Sequence, residues 1–168
     1  MKRYLFISFC LWGIMPVIAQ SPRNAAGLYE YAQFIPQDNS TADSLGVRAM
    51  KFFNLPLLVH WDTVYTAEKN GAKAVAAEGY IEVELPTGLW GSQLRVALQC
   101  VILPSGNGYY YAIRHLKGGG GDDGPPVFPL EERPAVLKGK FYDLLLMRTH
   151  KYLIGVIGYM KQEMSGQD

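Results

Sequence analysis

The sequence is poor in cysteine, histidine and charge, and each shortage removes a class of function. Only Cys10 and Cys100 occur in 168 residues, and Cys10 falls in an N-terminal segment that reads as cleaved. No internal disulfide can then form, and Cys100, on the apolar side of a strand, reads as a small hydrophobe rather than a nucleophile. His60, His115 and His150 lie in three different elements, none with a second histidine or cysteine at metal-ligand spacing. His60-Trp61-Asp62 offers two ligands on one strand face, short of a set. Asp122-Asp123 lacks the spaced oxygen ligands of a calcium loop. There is no Gly-x-Ser-x-Gly elbow and no phosphate loop. Glu131-Glu132 diverge on any regular element, while Glu78, Glu82 and Glu84 read as a solvated strand face. Local motifs thus supply no catalytic set, no metal and no cofactor; a triad assembled from distant segments is a separate matter that sequence does not address.

Long apolar runs are also scarce. The basic start MKRY leads into LFISFCLWGIMPVIA, which is shorter than the roughly 20 residues that span a bilayer and ends in Val17-Ile18-Ala19. These are the parts of a secretory signal peptide over residues 1–19, with cleavage after Ala19. Bulky Phe9 before Cys10, and the apolar run continuing past it, argue against a lipid anchor. Losing Lys2 and Arg3 leaves 14 basic residues against 15 acidic, a net charge of −1. Such a chain has no electrostatic footprint for nucleic acid or anionic lipid, and the expectation is an exported protein with no transmembrane span.

What is present is strand alternation. Leu94, Val96, Leu98, Cys100 and Ile102 recur every second residue, the period that puts side chains on one face. Pro104 should end this strand, and Gly106-Asn107-Gly108 should turn it into a second strand from Tyr109. A two- or four-residue turn pairs Ile102 with Tyr111 and Cys100 with Ile113; a three- or five-residue turn would invert the second strand. We favour the former, which turns Ile113 inward, Tyr110 and Arg114 outward, and makes two of the three consecutive tyrosines core. Residues 72–85 alternate most cleanly, with Val75, Ala77, Gly79, Ile81 and Val83 opposite Glu78, Tyr80, Glu82 and Glu84, as in an antiparallel strand with one buried and one open face.

Other elements follow from punctuation. Residues 20–27 read as a flexible leader, and residues 28–35 as a first strand closed by Pro36. Ser40 with Asp43 resembles a capping box opening a helix to Asn54, with Leu45, Ala49, Phe52 and Phe53 on its apolar stripe and Lys51 near its C-terminal end. Residues 57–61 read as a strand that 62–66 continue, and Asn70-Gly71 as a hairpin turn. Pro86-Thr87-Gly88 reads as a turn and Leu89-Trp90 as a cap on the core. Residues 118–126, GGGGDDGPP, read as a loop. Residues 137–164 carry Phe141, Leu144, Leu145, Tyr152, Val156 and Tyr159 at helical spacing, and Gly155 and Gly158 would let such a helix lie close to the sheet; a strand over 152–160 is the alternative. One domain over residues 28–164 accommodates all of this.

The sequence LYEYAQFIP, the Ser-initiated helix, LLVHW, AEGYIEVEL and the hairpin QLRVALQCVILPSGNGYYYAIRHL together resemble the secreted Bacteroides-type domain of unknown function with a TATA-binding-protein-like fold. The resemblance covers residues 28–117 and implies an α+β protein: a curved antiparallel sheet with a helix after the first strand and a C-terminal helix, both on one face. It also implies a periplasmic or cell-envelope address in a Gram-negative bacterium, and carries no catalytic residues. The expected role is a non-enzymatic interaction module for an unidentified envelope protein or ligand, through an open sheet face bearing Tyr80, Arg95, Tyr110 and Arg114. These types contribute disproportionately to interfaces. The alternative is a small exported hydrolase or ligand-binding protein with a pocket beside the 118–126 loop, lined by His60, His115 or Asp122. An inhibitor of a secreted enzyme would be physically similar to the first reading.

Overall fold

Strand β1 (Tyr31–Pro36) and helix α1 (Ala42–Asn54) precede four long strands, β2 (His60–Lys69), β3 (Ala72–Gly88), β4 (Gly91–Ser105) and β5 (Gly108–Gly118), then the short β6 (Phe128–Pro129) and helix α2 (Gly139–Ser165). The computed structural model describes residues 22–38, 40–55, 59–69, 72–88, 91–119 and 126–166. The signal segment, the start of the leader, the Asn70-Gly71 turn, the Leu89-Trp90 cap and the glycine-rich part of the 118–126 loop lie outside them. All pairings are antiparallel in the order β1-β5-β4-β3-β2, with β6 added to β5, forming an open curved sheet. Both helices pack on one face of it and against each other.

The β4–β5 register is the expected one, with Ile102 opposite Tyr111 and Cys100 opposite Ile113. Leu94, Val96, Leu98, Cys100 and Ile102 are all buried beneath the helices. Pro104 does not end the strand as expected: it pairs with Tyr109 inside β4, and Gly106-Asn107 is a two-residue turn closed by Ser105 and Gly108. Proline is tolerated because the pair next to such a closing pair exchanges no hydrogen bonds. Its missing N–H therefore faces β3, whose ladder with β4 already ends at Val75–Ile102. Gly108 holds φ +147°, and a Cβ there would sit 2.2 Å from the Ile35 carbonyl oxygen, so β1 docks on β5 only over a glycine.

Helix α1 begins one residue later than the Ser40 reading. Thr41 is the N-cap: its Oγ1 accepts from the Ser44 amide at 3.2 Å while Ser44 Oγ accepts from the Thr41 amide at 3.1 Å. A serine at the third position closes the box because its short hydroxyl already lies beside the cap, whereas Asp43 is left to favour the dipole from the first turn. The stripe Leu45, Ala49, Phe52 and Phe53 is buried as expected, and Lys51 pairs with Glu163 of α2 at 2.7 Å.

Two further boundaries differ. The first strand starts at Tyr31, not Leu28, because Tyr29 turns back to bridge Arg23. Strand β2 is described from His60, and the start expected at Leu57 lies outside the described residues. Pro86 to Gly88 extend β3, with an irregularity between Glu84 and Gly88, rather than turning it. The C-terminal segment is helix throughout, including 152–160. Its buried stripe runs through Leu145, Leu153, Val156, Met160 and Met164, while Tyr159 is exposed. Gly155 and Gly158 make no close approach: a Cβ on either would meet nothing within 4 Å.

Candidate functional site

The face of the sheet turned away from the helices carries the residues singled out from alternation, and the register places them in three groups rather than one patch. In the first, Arg95 lies directly opposite Glu82, with Nε 3.5 Å from Oε1. Its guanidinium carbon stands 4.7 Å from the Tyr80 ring centroid, and the Tyr80 ring stacks on His60 at 5.0 Å and 18°. Cation, ring and ring form a ladder across β4, β3 and β2. Both charges of the ion pair are well exposed, so the pair itself contributes a few tenths of a kcal/mol to about 1 kcal/mol.

The second group is centred on Gln99. Its Oε1 accepts from Arg114 Nε at 2.9 Å, and its Nε2 donates to Glu78 Oε1 and to the Tyr65 hydroxyl, each at 3.1 Å. One amide thereby ties β5, β4, β3 and β2 together on the open face. The third group is apolar: Tyr110 pairs with Phe34 on β1 and Leu103 on β4, and the two rings are 39% and 44% exposed. Tyr109 and Tyr111 are buried, as alternation requires. Arg95 and Leu103 are eight residues apart on one strand, about 27 Å at the antiparallel rise. Tyr80 and Arg95 are thus in contact, Arg114 sits between, and Tyr110 stands at the far end.

Strand β5 contains an irregularity that alternation did not reveal. Gln99 pairs with Arg114 but Ala97 pairs with Lys117, so β5 carries one residue more than β4 between these pairs. His115 absorbs it at φ +57°, a left-handed conformation that costs about 1 kcal/mol or more outside glycine. As a result Arg114, His115 and Lys117 are all exposed while Leu116 turns inward.

The expected pocket beside the 118–126 loop divides into two spaces. His115 lines one of about 270 Å³ with Leu28, Glu30, Pro129 and Glu131. His60 lines a larger one of about 720 Å³ at the other side of the sheet, between β3 and α2. Asp122 lies outside the described residues. His150 is used structurally, its Nδ1 2.9 Å from the Tyr31 hydroxyl with the rings stacked. Burial pushes the Cys100 thiol up to about 12, which keeps it protonated and unreactive. Among the described residues no three His, Cys, Asp or Glu side chains gather as a metal site, and no helix is long and apolar enough to cross a membrane.

Sequence reading missed Tyr65, Phe34 and His60 as members of this face, because they depend on the register of β2 and β1. The outward place of Gln99 was legible, since it stands between inward Leu98 and Cys100, but its hydrogen-bonded role was not.

An open antiparallel sheet with order β1-β5-β4-β3-β2 and both helices on one side is a TATA-binding-protein-like α+β fold. A TBP-like protein from Parabacteroides distasonis superposes over 88% of this chain and 99% of its own, with TM-score 0.65 and 12% identity. A DUF4468 family protein from Bacteroides ovatus covers 90% of this chain and 94% of its own, with TM-score 0.62 and 10% identity. At these identities the likeness is one of fold, and neither neighbour carries an assigned activity in its description. No protein-family model and no curated protein matches the chain.

Proposed function

We propose that the chain is an exported, non-enzymatic interaction module of the periplasm or cell envelope, engaging an envelope protein or ligand through its open sheet face. The observation that carries this reading is the exposed Phe34–Tyr110 pair at one end of that face, with Arg114 and then Arg95 over Tyr80 as separate groups farther along β5 and β4. Rigid aromatic rings near an arginine contribute large contact area and multidentate hydrogen bonding at low entropic cost. Glu78, Glu82 and Glu84 along β3 disfavour nucleic acid on the same face, and a TBP-like fold by itself gives no warrant for DNA binding. Export rests on the signal-like residues 1–19.

The test is envelope capture with the wild-type mature chain and with Tyr110→Ala/Arg114→Ala, after the variant is shown to melt normally. Loss of a specific partner in the variant supports the face; an unchanged partner set refutes it. Mass spectrometry of the exported protein should find Gln20 at its N-terminus; retained Met1 or a lipid on Cys10 would remove the soluble address.

A further inference from the structure

Strand β5 gives its outer edge to β1 as far as Ile113 and to β6 from Lys117. The stretch between, from Arg114 to Leu116, borders the space of about 270 Å³, which Asn24 and Glu30 ahead of β1 and Glu131 after β6 also line. Charges of both signs surround it, yet Arg114, Lys117, Glu30 and Glu131 make no ion pair among the described residues. One step beyond the last β1–β5 pair, Tyr31–Ile113, Glu30 comes opposite Arg114, a placing in which opposite charges ordinarily join across strands. Here each is drawn away from the other. Arg114 Nε donates to Gln99 Oε1 at 2.9 Å, and Glu30 Oε2 accepts from Asn24 Nδ2 at 3.0 Å. Glu131 is anchored in the same manner, its Oε1 accepting from the Tyr29 amide at 2.7 Å. Each carboxylate is fixed through one oxygen. Its other oxygen, the terminal nitrogens of Arg114 and the Lys117 ammonium have no hydrogen-bond partner among the described residues.

The irregularity in β5 is a second, independent sign. Regular alternation from Arg114 would turn Leu116 outward; the extra residue at His115, held at φ +57°, turns Leu116 inward and exposes Lys117 together with Arg114. Strained backbone of this kind concentrates at ligand sites, where the surrounding structure holds it in place. Its product is two cations on the border of a space that also has two fixed carboxylates.

We propose that this space binds a small zwitterion, an α-amino acid or a dipeptide, with its carboxylate on Arg114 and Lys117 and its ammonium on the free oxygens of Glu30 and Glu131. A guanidinium presents paired donors to a carboxylate, and an ammonium brings three donors to oxygens that can only accept. A simple anion or a simple cation uses half of the site and leaves the other half unpaired. The volume falls at the small end of ligand pockets, which run from roughly 300 to 1,000 Å³, and Leu28 and Pro129 offer an aliphatic side chain an apolar surface. The site shares Arg114 with the open face but needs no partner there, and it stands or falls separately from that reading.

The test is a titration of the mature protein with L-leucine and with L-leucyl-L-leucine, followed by the amide NMR shifts of Arg114 to Lys117 and of Glu131. Saturable shifts are expected with at least one of the two, and the tighter binder identifies whether the source is a free amino acid or a peptide. The same ligand amidated at its carboxylate, or acetylated at its amine, should bind at least tenfold more weakly. Lys117→Gln and Glu131→Gln should each weaken binding severalfold with the thermal midpoint near that of wild type, since glutamine keeps an oxygen to accept from the Tyr29 amide. Neither residue belongs to the open face, so these results are independent of partner capture, and the capped ligands decide the matter even where a variant folds poorly. Absence of saturable binding by both ligands, or binding indifferent to capping at either end, overturns the proposal.

Discussion

Removing a hydroxyl from a fully buried tyrosine ordinarily destabilises a protein, because the hydroxyl is hydrogen-bonded; at Tyr109 the opposite is expected. Its side chain is wholly inaccessible, it opposes Pro104 on β4 and Ile35 on β1, and its hydroxyl has no hydrogen-bond partner among the described residues. A buried hydroxyl left unpaired costs about 1–3 kcal/mol in desolvation. Tyr109→Phe deletes that penalty while keeping the ring and its packing, so it should stabilise by about 1–2 kcal/mol, or roughly 3–6 °C in thermal midpoint for a domain of this size. The alkaline limb supplies a second reading. Burial, with a smaller contribution from Tyr111, pushes the Tyr109 phenol up to about 12 from an ordinary 10. Between these values the unfolded chain ionises and the folded one does not, so stability conferred by the protonated phenol is intact below pH 10 and declines as pH rises toward 12. The phenylalanine variant should show a shallower loss over that window, by up to about 2–3 kcal/mol. Urea unfolding of both proteins at pH 7 and across pH 9–11.5 measures both effects. A Tyr109→Phe variant less stable than wild type at pH 7 would refute the reasoning, since it would mean that the hydroxyl is satisfied.

Substitutions at four other positions probe the register and the α1 cap. Leu98→Asp should abolish folding by burying an uncompensated carboxylate at a cost of several kcal/mol, whereas Gln99→Asp, its outward neighbour, should cost under about 1 kcal/mol through lost contacts to Glu78 and Tyr65; equal midpoints would contradict the assigned faces. Gly79→Ala should destabilise by about 2–3 kcal/mol and alter Trp61 fluorescence, because the new Cβ would fall 2.2 Å from the His60 carbonyl and 2.9 Å from Trp61 Cα, where β2 is irregular. Thr41→Ala should cost about 1 kcal/mol by opening the capping box, and Thr41→Ser should restore most of it; thermal melts of both variants check this.

The fold was legible from sequence wherever one face of an element is buried and the other is not. Period-two alternation in residues 72–85 and 93–102, together with the constraint that Ile113 face inward, was enough to select the hairpin register, since a one-residue slip would have exposed the whole second strand. What escaped depends on pairs of strands rather than on one. The left-handed residue at His115 has no signature in IRHLK, because the extra residue exists only relative to β4. Pro104 reads as a strand end until the adjacent ladder is known to have stopped short of it. The same limit governs the candidate sites. Tyr80, Arg95, Tyr110 and Arg114 could be assigned to one face from parity alone, but parity carries no distance along the strand, and the face divides into a charged end and an aromatic end about 27 Å apart. Gly155 likewise reads as a packing device, and only the placement of the helix shows that nothing lies within 4 Å of a Cβ built on it.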